Sequence, residues 1–278
     1  MFHNRRLIIA TQHHKEKVIA PLFEDKLGVL CFTDSQLNTD VLGTFSGEVE
    51  RNNDPITTAR NKCIMAMELS GADLAIASEG SFGAHPSLFF AHADDEWLLF
   101  VDRKNNIEIV VRDLRLNTNF NASSISNLEE LNHFANKVKF PSHALIIKKS
   151  ETDYSEMVKG IQQWDELTSV GTSFLSTFGS LYVETDMRAM NNPTRMAVIE
   201  QLTHKLIEKI ESQCPHCQTP GFAVTDVKRG LPCESCNCPT KAILSHIYCC
   251  VKCSFTKEIQ YPEHKYFEDP MYCDFCNP

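Results

Sequence analysis

Strand-like and helix-like apolar patterns alternate from Leu7 to Ile210, a hairpin interrupts that alternation, and ten of the twelve cysteines crowd between Cys214 and Cys276. The first feature predicts an α/β domain over residues 1–210, and the second makes its sheet mixed rather than purely parallel. The third marks a small zinc-ribbon-like domain over residues 211–278.

Leu7 to Ala10 reads as a short buried strand, and His14 to Leu27 as a helix that Pro21 kinks. Gly28 to Phe32 is a second strand. Asp54-Pro55 opens a helix with an acid at the cap and proline at the first position, with the apolar stripe Ile56, Ala59, Cys63, Met67. A buried strand, Asp73 to Ala77, follows and is expected to end in a loop over Ser78 to Gly83. Trp97 to Val101 and Ile107 to Val111 form the hairpin. Ser126 with Glu129 predicts a capping box before a helix from Leu128 to Val138. Ala144 to Ile147 is a strand, Tyr154 to about Leu167 a helix, and Leu181 to Val183 the last strand. Asn192-Pro193 then starts a helix with the stripe Met196, Ile199, Leu206, Ile210.

With 42% hydrophobic residues the chain can bury a proper core, and its net charge of -9 with a pI near 5.7 repels phosphate backbones and anionic membranes. Nucleic acid is therefore an unfavoured partner. No run approaches the roughly 18 apolar residues of a membrane span, and the N-terminal apolar run is too short for a signal-peptide core, so a cytoplasmic protein is expected.

In a reducing compartment the cysteine cluster points to metal rather than disulfides. Four Cys-x-x-Cys knuckles are present: Cys214/Cys217, Cys233/Cys236, Cys250/Cys253 and Cys273/Cys276. A two-residue spacer lets both thiolates of a knuckle reach one tetrahedral ion, so eight ligands imply two structural zinc ions. Four knuckles pair in three ways. Sequential pairing closes the shortest loops and is expected first, with a central pair enclosed by the outer pair close behind. Cys238 and Cys249 are then spare, unless Cys249 replaces Cys250. Six Lys/Arg against eight Asp/Glu in residues 211–278 argue for a scaffold, or a lid over the first domain, rather than a nucleic-acid module.

Three constellations in the first domain carry candidate chemistry. Thr11 to Lys17 lies where a strand turns into a helix, offering a hydroxyl, a lysine and free N–H groups suited to phosphate. Arg60 and Lys62 stand in the next helix, ahead of Glu79 at the end of a buried strand, where α/β sheets place their sites. His85 and the acids Asp94, Asp95 and Glu96 come soon after. The third group is Glu184, Asp186 and Arg188 with Asn192 to Arg195 at another helix start.

The order Thr11-x-x-x-Lys15, Ala59-Arg60-Asn61-Lys62, then Ala72-Asp73, an apolar stretch, Glu79-Gly80 and a hairpin resembles the inosine/xanthosine triphosphatases, of the inosine triphosphate pyrophosphatase/Maf-like (ITPase/Maf-like) fold. That resemblance implies a Mg²⁺-dependent hydrolase that converts non-canonical purine nucleoside triphosphates to monophosphate and pyrophosphate. By it, Thr11 and Lys15 hold phosphates, Glu79 holds Mg²⁺ and Arg195 contacts the nucleotide. Glu48, Asp54 or Asp95 supplies a second carboxylate, and Arg60 and Lys62 add cations. Gln12 stands where those enzymes carry asparagine, a single Glu79 replaces an acidic pair, and their base-contacting histidine has no counterpart. The whole chain is also similar to a bacterial family of unknown function with Glu-Gly-Ser-Phe-Gly and Cys-x-x-Cys-Asn-Pro signatures.

The expected partners are a nucleotide and, as a homodimer, a second copy. Two other readings stay open: a non-catalytic nucleotide-binding or interaction protein, and a hydrolase in which His13, His14, Glu79 and His85 gather a transition metal.

Overall fold

The first apolar run is an inner strand of a five-stranded sheet in the computed structural model, which describes residues 1–39, 53–88 and 90–278. β1 (Arg6–Ala10), α1 (Glu16–Leu27), β2 (Leu30–Phe32), α2 (Pro55–Ser70) and β3 (Leu74–Ala84) bring three parallel strands together. β4 (His92–Asp102) and β5 (Ile107–Arg115) extend that sheet as antiparallel strands, giving the order β2-β1-β3-β4-β5. The sheet is mixed, as the hairpin requires.

Local chemistry explains the helix ends. The Asp54 carboxylate accepts from Ile56 N and Thr57 N, both at 3.0 Å, and Pro55 takes the first turn of α2. Gly71, at φ 68, closes the same helix by donating to Met67 O.

β3 runs farther than its apolar pattern suggests. Ser78 to Gly83 is not a loop but part of an 11-residue strand, paired residue for residue with Ala93 to Leu98 of β4. A polar half-strand pairs here with another polar half-strand, so neither shows apolar alternation.

The pleat divides this sheet into two faces. Ile8, Ala10, Ala75, Ala77, Leu99 and Val101 pack against Ala59, Cys63, Ala66 and Met67 of α2. The opposite face buries Leu7, Ile9, Leu74, Ile76, Leu98 and Phe100, with Ile19 and Phe23 of α1 also buried and Phe23 stacked on Phe100 at 6.1 Å. At about 1.5–3 kcal/mol for each fully buried large side chain, these two layers are the main stabilising term of the sheet.

A second, antiparallel sheet of order β6-β9-β7-β8 follows, built from β6 (Ala122–Ile125), β7 (Leu145–Lys148), β8 (Met157–Ile161) and β9 (Leu181–Thr185). Its core joins Ile125, Leu145, Ile147, Ile161, Leu181 and Val183 to Leu131 and Phe134 of α3 (Leu128–Lys137) and to Leu167 and Phe174 of α4 (Trp164–Phe178). Two sequence expectations are corrected here. The helix expected over Tyr154 to Leu167 is β8, bulged at Gly160 with φ 75, and then, after Gln162 and Gln163, the start of α4. The capping box sits one residue later than expected: Asn127 accepts from Glu130 N, while Glu130 accepts from Ser126 N and Oγ.

The chain divides into units Met1–Leu206 and Ile207–Pro278, a boundary that falls inside α5 (Pro193–Glu211) and four residues before the one expected from composition. The second unit is a meander of β10 (Ala223–Arg229), β11 (Ile243–Cys249) and β12 (Thr256–Gln260), antiparallel throughout. Among the described residues, no helix is long and apolar enough to cross a membrane.

Candidate functional site

The turn between β1 and α1 gathers the first group of polar side chains. Thr11 Oγ1 accepts from His13 N at 3.1 Å, and His14 takes φ 57, so the chain bends sharply before the helix. That bend turns Lys15 inward. Its Nζ donates to Ser78 Oγ at 2.7 Å, and both residues are buried.

Ser78 belongs to the face of β3 that also carries Gly80 and Phe82, opposite Glu96 and Asp94 of β4. Arg195, from the first turn of α5, lies against this ladder with no side-chain exposure. Its Nε donates to Glu96, its Nη1 to Met187 O, and its guanidinium lies 5.1 Å from the Phe82 ring centroid. Asn192 aims the helix start by accepting from Arg195 N at 3.0 Å. Gly80 is required beneath: a Cβ there would collide with the Glu96 carboxylate and stand 2.6 Å from Arg195 Nη2.

Charge in this region is concentrated and poorly hydrated. Burial, then the neighbouring Arg195, holds Lys15 far below the usual lysine range, at about 7. His13 is pushed down to about 3 by burial and, after it, by the charges of Lys15, Arg195, Arg188 and Lys62, so it is neutral at physiological pH. Asp94 moves the other way, up to about 8, through burial and the proximity of Glu96. Asp94 Oδ1 and Glu96 Oε2 are both buried without a hydrogen-bond partner.

The remaining sequence candidates are distributed otherwise. Glu79 points to the α2 face of β3 and is ion-paired there with Lys62. Asp54 is the exposed cap of α2, and Arg60 forms a surface pair with Glu108 at 2.8 Å. Each of these two has a sufficient structural role. Asp95 pairs with Arg112 at 2.7 Å. Glu48 lies outside the described residues. His85 Nδ1 accepts from Ser87 N and Leu88 N, and among the described residues the groups of three or more metal-ligating side chains are all cysteine, so a cluster of His13, His14, Glu79 and His85 does not form. The acids Asp94 and Glu96, which the sequence presents as a solvated approach to a strand, are buried site residues. The signal for them lies in their alternation, on one strand face, opposite Gly80 and Phe82.

The cysteines assemble as two quartets, Cys214/Cys217/Cys250/Cys253 and Cys233/Cys236/Cys273/Cys276. This is the interleaved pairing, first knuckle with third and second with fourth, and it replaces both the sequential and the enclosed arrangement. Successive strands of a meander run in opposite directions, so the junctions before β10 and after β11 fall at one end and those after β10 and after β12 at the other. Strand direction therefore outweighs loop length.

A tetrahedral shell with zinc–sulfur bonds of about 2.3 Å separates its sulfurs by about 3.8 Å. The facing sulfurs stand 3.7 and 3.5 Å apart in the first quartet and 3.8 and 3.6 Å apart in the second. The donor set and its spacing fit two zinc ions. Each knuckle is preformed by its backbone: Gln218, Asn237, Ser254 and Asn277 donate to the carbonyl of the first cysteine at 2.8–2.9 Å, and the first three do so at φ between 56 and 59. Cys250 rather than Cys249 is the ligand, and Cys238 and Cys249 stay outside both quartets.

Metal analysis of double variants tests the pairing. Cys217→Ser with Cys250→Ser should cost one zinc ion per chain and Cys217→Ser with Cys236→Ser both, whereas sequential pairing requires the reverse, two ions lost in the first double variant and one in the second. A separate expectation concerns Asp94. Because its folded value lies above the unfolded one, its contribution opposes folding increasingly as pH rises from about 4 to about 8. Asp94→Asn should therefore raise the melting temperature at pH 8 by a few degrees and by less at pH 5, as read by thermal unfolding.

No functionally curated protein matches the chain. Among solved structures, protein VC0702 from Vibrio cholerae is similar at 14% identity over 74% of this chain and 94% of that one, with a TM-score of 0.33, too loose to assign a fold. Residues 62–278 match the domain of unknown function DUF6671, a span that runs from within α2 through both cysteine quartets, and the chain accordingly belongs to the DUF6671 family.

Proposed function

We propose that the chain is a Mg²⁺-dependent nucleoside triphosphate pyrophosphohydrolase acting on non-canonical purine nucleotides, with an ITPase/Maf-like first domain. The observation that supports this reading is the strand-to-helix turn at Thr11 to Lys15, which carries the buried Lys15 amine inward onto Ser78 Oγ at 2.7 Å. Lysines with arginines around such a turn suit a polyphosphate, because helix N-terminal N–H groups add to their charge.

In this reading Lys15 and Lys62 bind phosphate oxygens and Thr11 orients the turn. Arg195, enclosed and held by Glu96, acts through its field rather than by contact. Glu79 is the carboxylate that would hold Mg²⁺, since its partner Lys62 is one that phosphates would claim. Bound Mg²⁺ supplies charge neutralisation of the triphosphate for attack by water at the α-phosphorus. The same Lys62–Glu79 pair favours a second reading, a non-catalytic nucleotide-binding protein in which the carboxylate stays neutralised.

Incubation with inosine, xanthosine and the four standard triphosphates in Mg²⁺ separates the two. Pyrophosphate released from the non-canonical purines, and lost in Glu79→Gln, is the expected result. A nucleotide-dependent rise in melting temperature without any pyrophosphate would assign the second reading.

Lys15 adds a pH signature. Its proton is taken up only below about 7 in the fold but near 10.5 when unfolded, so stability climbs with pH between those values. An anion reverses the preference by stabilising the charged amine. Affinity for inorganic pyrophosphate should rise as pH falls from 8 to 6. Calorimetry in two buffers of different ionisation enthalpy should show proton uptake at pH 8 that Lys15→Met abolishes.

A further inference from the structure

The two cysteine quartets share a donor set but not a setting. In the first, Cys214 and Cys250 are buried and Cys217 and Cys253 half-buried, beneath a shell formed by Phe222, Tyr248 and Phe255. His216 stacks on Phe255 at 5.9 Å and adds a further cover. In the second, Cys233 and Cys273 are buried but Cys236 and Cys276 are exposed. A peroxide must approach a sulfur lone pair to oxidise it, so access separates two sites of equal intrinsic chemistry.

We propose that Cys233, Cys236, Cys273 and Cys276 form a peroxide-sensitive zinc site, oxidised from its exposed sulfurs while the first quartet remains loaded. The Cys236 thiolate attacks one oxygen of hydrogen peroxide; an S–O bond forms, the O–O bond breaks and hydroxide leaves, giving a sulfenic acid. Cys273, whose sulfur stands 3.6 Å from that of Cys236, then attacks the oxidised sulfur and displaces a second hydroxide as the disulfide forms. Two thiolates have lost two electrons and the peroxide has gained them. The quartet then offers only two thiolates, too few to retain its ion. Cys276 has the equivalent route through Cys233 at 3.8 Å.

The test uses the full zinc-loaded chain, dilute hydrogen peroxide, a chromogenic zinc chelator and differential alkylation read by mass spectrometry. One zinc ion per chain should appear roughly tenfold faster than the second, following exposure of the thiolates, with Cys236 and Cys276 oxidised first. Simultaneous release, or oxidation beginning at Cys214, Cys217, Cys250 or Cys253, overturns the proposal. Phe255→Ala opens the cover of the first quartet and should bring its release toward the rate of the second; an unchanged rate removes the shielding argument. Cys238→Ser with Cys249→Ser leaves both quartets whole and should release zinc as the parent does. Loss of the fast phase in that variant would assign the sensitivity to a spare cysteine and overturn the proposal.

Discussion

Arg195 is a guanidinium with no side-chain exposure, and the geometry around it follows from that single constraint. A buried cation is tolerated only when it is paired and its donors are engaged, because the desolvation cost is several kcal/mol per ion. Glu96 supplies the countercharge from β4, Met187 a carbonyl from the segment after β9, and Phe82 a ring face from β3. Asn192 fixes the helix turn from which the side chain departs. Strands, connecting segment and helix are thus held to one another by a group that cannot retreat to water. The same constraint dictates glycine at position 80, since any larger residue would occupy the space of the Glu96 carboxylate.

The metal domain obeys a different constraint, one of direction. Loop closure favours joining neighbouring knuckles, but each doubling of loop length costs only about 0.6 kcal/mol. A β-strand of seven residues, by contrast, carries the chain on the order of 20 Å from one end of the sheet to the other. With β10 and β11 each of that length, neighbouring knuckles lie at opposite ends and cannot share an ion. Two ions held at the two ends would then clamp a sheet whose outer strands have few buried side chains of their own.

These two constraints explain which parts of the structure are legible in the sequence. β1, α2 and α5 are legible because their apolar period, caps and terminal prolines agree, as at Asp54-Pro55. The eight zinc cysteines are legible because their spacing alone specifies chemistry. The extension of β3, the burial of Asp94 and Glu96 and the interleaved pairing are not, because each depends on a partner far away in the chain. Glu96 looks like a solvated acid until Arg195, ninety-nine residues later, is placed beside it. The pairing of the knuckles needs strand count and direction, and the polar, half-exposed β10 and β12 show little apolar alternation to count by.

Overall charge and local charge point in opposite directions, and the difference bears on the proposed ligand. A net charge of -9 repels a long polyanion, whose many phosphates sample the whole molecular surface. A small polyphosphate samples only the turn at Thr11 to Lys15, where Lys15, Lys62, Arg188 and Arg195 act on one histidine. Beyond about 8–10 Å at physiological ionic strength, the surface acids are screened and the local cations dominate. Three of those cations are held in place by carboxylates, Lys62 by Glu79, Arg188 by Asp186 and Arg195 by Glu96. Lys15 is the one that donates to a neutral hydroxyl, and its proton affinity is depressed by burial first and by the neighbouring Arg195 second. An anion entering the turn would supply Lys15 with a countercharge, which makes Lys15 the residue best placed to favour binding in the proposed reading.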